Sequence, residues 1–222
     1  MLDVTQDEDV KSCIQHILQS KGKIDLLVNN AGHGLYSPIE DASLSDIQHQ
    51  FDVNVFGAIR LIQAVLPSMR QQKSGMIINM SSVVGHISMP LFGYYAGSKH
   101  ALEAISDALR MEVEQFGIKT VIIEPGMFKT NFREVALNTI NMHDITKDYD
   151  PLVQKAMTVL SAYYEKAPSP IIVAKLIGKI TESKTIKRRY VIGKGSKFFM
   201  FSRKYFGYAL LDKVLMKIFG AI

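Results

Sequence analysis

The sequence predicts an α/β fold built on a parallel sheet with helices on both faces. Two observations carry that reading. Four apolar runs of strand length, Ile24–Val28, Met76–Met80, Thr120–Glu124 and Arg189–Ile192, alternate with amphipathic stretches of helix length. Most of these runs are rich in Val, Ile or Leu, as strands covered on both faces require. The composition allows a core of that kind: 222 residues, 47% apolar and 21% charged, with 15 Gly and 7 Pro. That is a globular chain of one large domain, or at most two small ones, and neither a disordered nor a collagenous one.

Each element follows from local pattern. Residues 7–20 form a helix with Val10, Cys13, Ile14, Ile17 and Leu18 on one face. Cys13 lies on that stripe and reads as a packed core thiol rather than a nucleophile. It is the single cysteine, which excludes a disulfide scaffold and a multi-cysteine zinc site. After the first strand, a second helix begins at Ser43, an N-cap residue, and runs to about Arg70. A third runs from about Ser98 to Gln115, with Leu102, Ile105, Leu109 and Val113 at helical spacing and Gly117 as its stop. Residues 127–168 break the rhythm, with mixed polarity and one helical stretch, Leu152–Tyr164. A connection this long inside a compact domain is read as a lid over a substrate. A fourth helix starts at Pro168-Ser169-Pro170, with Ser169 as cap and Pro170 in the first helical position.

The net charge is +5, from 26 basic and 21 acidic residues. Its concentrations are Lys184-Thr185-Ile186-Lys187-Arg188-Arg189 and the C-terminal tail. Without interleaved aromatics along most of the chain, these read as solvated charge, and no nucleic-acid partner is expected. There is no charged-then-apolar leader, and no apolar run reaches the ~18 residues of a membrane span, so a cytoplasmic protein is expected. In the tail, Leu210, Leu211, Val214, Leu215, Ile218 and Phe219 form an apolar stripe with Asp212, Lys213 and Lys217 off it. Phe198-Phe199-Met200-Phe201 and Arg203-Lys204 precede it. The favoured reading is a helix packed over the substrate pocket or against a partner subunit; the other is a basic amphipathic helix on a membrane surface.

The sharpest chemical signal is Tyr95-Ala96-Gly97-Ser98-Lys99. A Tyr and a Lys four apart on a helix share a face, one turn from each other. A free tyrosine titrates near ~10, too high for acid–base work at neutrality. An ammonium ~4 Å away would favour the phenolate by about 4 kcal/mol at most, or about three pKa units. Tyr94 lacks this relation, since Ser98 stands four residues on. Around the pair, Ser81-Ser82 ends a strand, where ligands collect in doubly wound folds. Asn29-Asn30-Ala31-Gly32 ends the strand before it, with Gly34 close behind, so that backbone can approach a ligand closely. Asn54 sits mid-helix, against its propensity. Glu124-Pro125-Gly126 ends the third strand, and Thr130 follows.

Together with Asp3-Val4, these motifs resemble, in order and spacing, the short-chain dehydrogenase/reductases, oxidoreductases that use NAD or NADP on a Rossmann-type fold. The resemblance spans residues 1–195 as one domain, with 196–222 as its C-terminal amphipathic tail. The residues flanking Asn54, His100-Ala101-Leu102-Glu103 and the Glu-Pro-Gly form most resemble the 17β-hydroxysteroid-dehydrogenase-like branch. The resemblance implies that Tyr95 passes a proton to or from the substrate oxygen, and that Ser82 polarises and positions that oxygen. It implies that Lys99 lowers the Tyr95 pKa and holds the nicotinamide ribose, and that Asn54 holds a water linking Lys99 to solvent. Asp3 and Val4 would meet the adenine, Asn30, Ala31 and Gly32 would line the cofactor, and Pro125, Gly126 and Thr130 would hold its nicotinamide end. A homodimer or tetramer, joined through the helices at 43–70 and 98–115, is also implied.

One family feature is missing. No Thr-Gly-x-x-x-Gly-x-Gly pattern occurs among the 15 glycines, and Gly193-Lys194-Gly195 is no substitute. In the family's frame the chain opens at the end of the third strand. A sheet lacking the first two strands and the pyrophosphate cradle is therefore expected. The family's strand order 3-2-1-4-5-6-7 would then leave Ile24–Val28 as a bare edge and detach what remains of strand three. An N-terminally truncated product, or a reading frame begun at an internal Met, is the expectation. Two functions follow: an oxidoreductase acting on a secondary alcohol or ketone, steroid- or lipid-like, or a non-catalytic remnant unable to hold the cofactor. A third reading is a lipid-binding protein that uses the tail. NAD is not distinguished from NADP.

Overall fold

The computed structural model describes residues 2–137, 139 and 145–220. Helix α1 (Asp7–Lys21) opens on Asp7, Glu8 and Asp9, where the helix dipole favours acids, and closes on Gly22 in the left-handed region (φ 77°). Four strands follow, β1 (Leu26–Asn29), β2 (Gly75–Met80), β3 (Ile118–Pro125) and β4 (Arg189–Ile192). They form one parallel sheet in the order β1-β2-β3-β4, with Ile77 opposite Thr120 and Ile78 opposite Val121.

Strand alternation sends side chains to two cores. Ile77 and Ile118 meet Val10 and Ile14 of α1, Leu61, Val65 and Met69 of α3 (Gly57–Gln72), and Leu109 and Val113 of α4 (Gly93–Val113). Ile78, Met80, Val121 and Ile123 meet Ile180 of α7 (Ile171–Glu182) on the other face. The sheet is thus covered on both sides, the α/β architecture of Rossmann-type proteins. β1 pairs only with β2 among the described residues, and Leu26 is 37% exposed, so the bare edge expected from the sequence is present.

Residues 3–5 correct the expectation of a detached third strand. They form a turn rather than a strand, yet the chain stays seated. A Cβ built on Gly57 would stand 2.7 Å from Val4 Cγ2, so the missing side chain of Gly57 is what lets Val4 pack against the start of α3. Arg60 Nη1 then donates to the Val4 carbonyl at 3.3 Å.

The expected helix from Ser43 is present but interrupted. Ser43 caps α2 (Leu44–Phe51), accepting the Asp46 N–H, and a single π-helical turn, Asp52–Phe56, separates α2 from α3. Helix α4 begins at Gly93, five residues before the predicted start, so Tyr95 and Lys99 both lie inside it. At α7, Pro170 is the cap residue itself rather than the first helical residue, a shift of one position.

Within 127–168 lie α5 (Phe132–Leu137) and α6 (Asp150–Glu165). The tail folds as α8 (Ser196–Phe219), broken at Gly207 (φ 71°, ψ 177°). Leu211, Leu215 and Phe219 are buried with Val153, Ala156 and Leu160 of α6, Ala136 of α5, Tyr95 of α4 and Phe92, which caps α4. Each buried side chain of this size contributes about 1.5–3 kcal/mol. The predicted stripe therefore divides: Leu210 and Val214 are exposed, and the other part of the stripe packs on α5 and α6. The side chains of Phe199, Phe201, Arg203 and Lys204 lie outside the described residues. Among the described residues, no helix is long and apolar enough to cross a membrane.

Candidate active site

Loops from the C-terminal ends of β1, β2 and β3 converge where a parallel sheet presents its crevice. The first turns of α4 supply Tyr95 and Lys99, both buried (8% and 4% exposed). Lys99 Nζ donates to the Met80 carbonyl at the end of β2 (2.9 Å), and lies 5.9 Å from the Tyr95 ring centroid. That hydrogen bond corrects the simple reading of the pair. The ammonium is turned to β2 rather than to the phenol. Burial pushes the Tyr95 phenol up to about 12, and the opposing pull comes from a hydrogen bond with Ser82. Burial also pushes the Lys99 ammonium down to about 8, against the pull of Glu103.

Ser82 follows β2 and stands at the turn Val83–Gly85, where its Oγ accepts the Val84 N–H at 3.3 Å. Its single proton has two acceptors in reach. The Pro125 carbonyl is a long 3.4 Å away, and the Tyr95 phenol oxygen is the other. The contact with Pro125 ties the ends of β2 and β3 together beside Tyr95. Tyr94, by contrast, points away and donates to the Ile39 carbonyl at 2.9 Å.

Asn54 explains the π turn. A single-turn π bulge rotates one residue out of helical register, and such bulges collect at functional sites. Here Asn54 is 1% exposed and fully engaged. Its Oδ1 accepts the His33 N–H (2.8 Å), while its Nδ2 donates to the His33 carbonyl (2.9 Å) and to Ser98 Oγ (3.0 Å). The loop after β1 is thereby fixed to α4. Gly32 passes between the polar groups: a Cβ built there would lie 3.6 Å from Asn54 Oδ1 and 3.8 Å from Lys99 Nζ. Asn30, Ala31 and Gly32 are exposed, forming an open strip of backbone beside the buried ammonium.

Gly126 N donates to Ile192 O at 2.8 Å, and the half-buried Thr130 gives its carbonyl to Tyr164 Oη at 3.0 Å. Gly126 is thus tied to β4 and Thr130 to α6. Asp3 is exposed, its carboxylate accepting the Thr5 N–H and hydroxyl. With Val4 it sits against α3 rather than among the groups around Tyr95.

Sequence reasoning missed several residues. Gln50, wholly buried, accepts the Leu35 N–H and donates to the His33 carbonyl, holding the same loop as Asn54. Its place four residues before Asn54, on the same helical face, was the available signal. Asn29 Nδ2 donates to Asn79 Oδ1, and Asn79 Nδ2 to Ser106 Oγ (2.8 Å each), bracing β1, β2 and α4 beneath the site. From α5, the Phe132 ring meets the Tyr95 ring at a tilt, with centroids 5.3 Å apart.

Comparison with known proteins gives the family. The short chain dehydrogenase family pattern matches residues 1–140. A probable short-chain type dehydrogenase/reductase, VdlC of Helicobacter pylori, is 35% identical over 192 residues, covering 86% of this chain and 70% of that protein. A 3-ketodihydrosphingosine reductase of Bacteroides thetaiotaomicron is 32% identical over 196 residues, covering 87% and 71%. The crystal structure of a short-chain dehydrogenase from Streptomyces avermitilis superposes with a TM-score of 0.74 at 28% identity, covering 96% of this chain and 76% of that one. Two further solved structures, 27% and 25% identical, hold NADP. The chain belongs to the short-chain dehydrogenase/reductase family, a family of oxidoreductases.

Proposed function

We propose that this chain transfers hydride between NAD or NADP and a secondary alcohol or ketone of steroid- or lipid-like character. The observation that carries the reading is the convergence of Tyr95, Ser82, Lys99 and Asn54 at the C-terminal end of the sheet. The residues present fit the nicotinamide half of such a cofactor. Gly32 leaves open backbone beside Lys99, and Lys99 uses one of its three N–H donors on Met80. Asn30, Ala31 and Gly32 would line that half, and Pro125, Gly126 and Thr130 its other wall, with Asp3 and Val4 toward the adenine. The bound cofactor supplies or accepts the hydride.

The chain's own residues handle the proton. At neutral pH the Tyr95 phenol is protonated, so in the reducing direction it donates to the substrate oxygen. The phenolate left behind is stabilised by the charge of Lys99, which still carries its proton below about pH 8. Ser82 turns its one proton to the developing oxyanion, and Asn54 orders the His33 loop against Ser98. Phe132, Val84, Ala136 and Leu160 make the surroundings of Tyr95 apolar, which supports a lipid-like substrate, as does the likeness to a sphingolipid reductase. The same features accommodate the 17β-hydroxysteroid-dehydrogenase-like branch. The exposed Phe56 and Met111, on the helices at 43–70 and 98–115, support a homodimer or tetramer, which sedimentation would test.

Tyr95→Phe is expected to abolish ketone reduction while leaving nucleotide affinity nearly unchanged. Appreciable turnover by that variant rejects Tyr95 as the acid–base. A titration with NADPH and NADH measures that affinity directly.

A further inference from the structure

A second buried polar cluster lies beside the catalytic set, and the reaction described above does not use it. Glu103 stands four residues after Lys99 on α4, on the same face and one turn further on. It is 5% exposed, and Glu124 of β3 is wholly buried. Arg189, the first residue of β4, reaches between them. Its Nη2 donates to Glu103 Oε2 (3.1 Å) and to Asp107 Oδ2 (2.6 Å), and its Nε lies 3.2 Å from both Glu103 Oε2 and Glu124 Oε1. His86, just after the turn that carries Ser82, places Nε2 3.1 Å from Glu124 Oε1 and 3.7 Å from Glu103 Oε2.

Three carboxylates therefore face one guanidinium and one imidazole, and Glu124 Oε2 has no hydrogen-bond partner among the described residues. Excess negative charge in an interior needs a cation. Bound metal is a poor answer, because Arg189 already lies against both glutamates and would repel it. Lys99 is a better one. It is buried on the same helix face and makes no salt bridge among the described residues.

We propose that Glu103 is a positioning residue for Lys99: held by Arg189 and beside His86, it is the counter-charge of the buried ammonium one helical turn away. It touches neither substrate nor cofactor. Burial drives Lys99 toward its neutral form, and Glu103 is the group that opposes it. Glu103 is itself pushed up, first by burial and then by Glu124, while Ser81, His86 and Arg189 pull it back toward the carboxylate. The charged or titratable groups facing the pair are Tyr95 and Asp107 on α4, His86, Glu124 of β3 and Arg189 of β4. This also gives Arg189 a role apart from its basic run, whose Lys184, Lys187 and Arg188 are exposed.

The inference rests on the reading of Lys99 as catalytic, but its test needs no turnover. In protein labelled isotopically at lysine, the Lys99 ammonium resonance, identified by its loss in Lys99→Met, is followed against pH by NMR. In Glu103→Gln the Lys99 midpoint should fall by about one pH unit, tenfold in its proton affinity, and in Glu103→Asp by less. An unchanged midpoint in folded Glu103→Gln overturns the proposal. Should that variant fail to fold, Glu103→Asp decides: a lowered midpoint supports the proposal and an unchanged one overturns it. Should Tyr95→Phe prove active while the Lys99 midpoint moves, the pairing stands and the catalytic reading alone falls.

Discussion

Replacing Lys99 with Met removes a buried charge while nearly conserving volume. Its effect on stability follows from linkage. Burial holds the Lys99 ammonium at about 8 in the folded chain, against 10.5 as its ordinary value. Between those two values the unfolded chain binds a proton that the folded chain does not, so the stability of the natural protein rises with pH across that window. Below it, both states are protonated and the whole cost of burying the charge is in force; above it, both are neutral. At 1.36 kcal/mol per pH unit, the amplitude is about 3 kcal/mol. Lys99→Met lacks this dependence, although it loses the hydrogen bond to the Met80 carbonyl, worth about 1 kcal/mol at every pH. Urea unfolding of both proteins at matched ionic strength, from about pH 7 to about pH 11, measures the difference directly, and groups common to both cancel. The difference in unfolding free energy should shift by about 3 kcal/mol in favour of the natural protein as pH rises. Parallel pH profiles would refute the reasoning, because Lys99 would then titrate as an exposed lysine.

Other substitutions probe other joints. Asn54→Ala removes three hydrogen bonds that fix the His33 loop, and should cost about 2–4 kcal/mol in thermal or urea unfolding; a loss under about 1 kcal/mol would mean the loop is held elsewhere. Leu215→Ala should cost about 2–4 kcal/mol by opening a cavity against α6, whereas Leu210→Ala, exposed in the same helix, should stay within about 0.5. Equal effects in that pair would contradict the docking of α8. Gly117→Ala should cost about 1–3 kcal/mol, because Gly117 has φ 73° and an added Cβ would meet the Lys73 carbonyl oxygen at 2.5 Å.

Much of the fold was legible because its information is local. The last strand matches residue for residue, and Ser43 and Gly117 stand where caps and stops require. Local pattern also reached the groups proposed as reactive, since a Tyr and a Lys four apart must share a helix face wherever that helix packs. The rest depends on partners distant in sequence. Nothing near Lys99 announces that the Met80 carbonyl accepts its hydrogen bond, and nothing near Tyr95 announces the burial that pushes its phenol up. The π turn is invisible to hydrophobic periodicity, although Asn54 already stood out as a poor mid-helix residue. Arg189 looked like the end of a solvated basic run because Glu103, Asp107 and Glu124 come from other elements. The tail stripe was visible, but only the position of α5 and α6 decides that Leu211, Leu215 and Phe219 face inward while Leu210 and Val214 do not.

Hydride transfer itself is the most direct measurement. NADPH or NADH deuterated at the transferable position is incubated with this chain and a panel of steroid and long-chain ketones, and the alcohol product is examined by mass spectrometry. The expected result is an alcohol carrying deuterium on its carbinol carbon from the natural chain and none from Tyr95→Phe. An alcohol formed equally by both proteins would contradict the assignment of Tyr95, and no labelled alcohol from either cofactor would contradict the oxidoreductase reading of this chain.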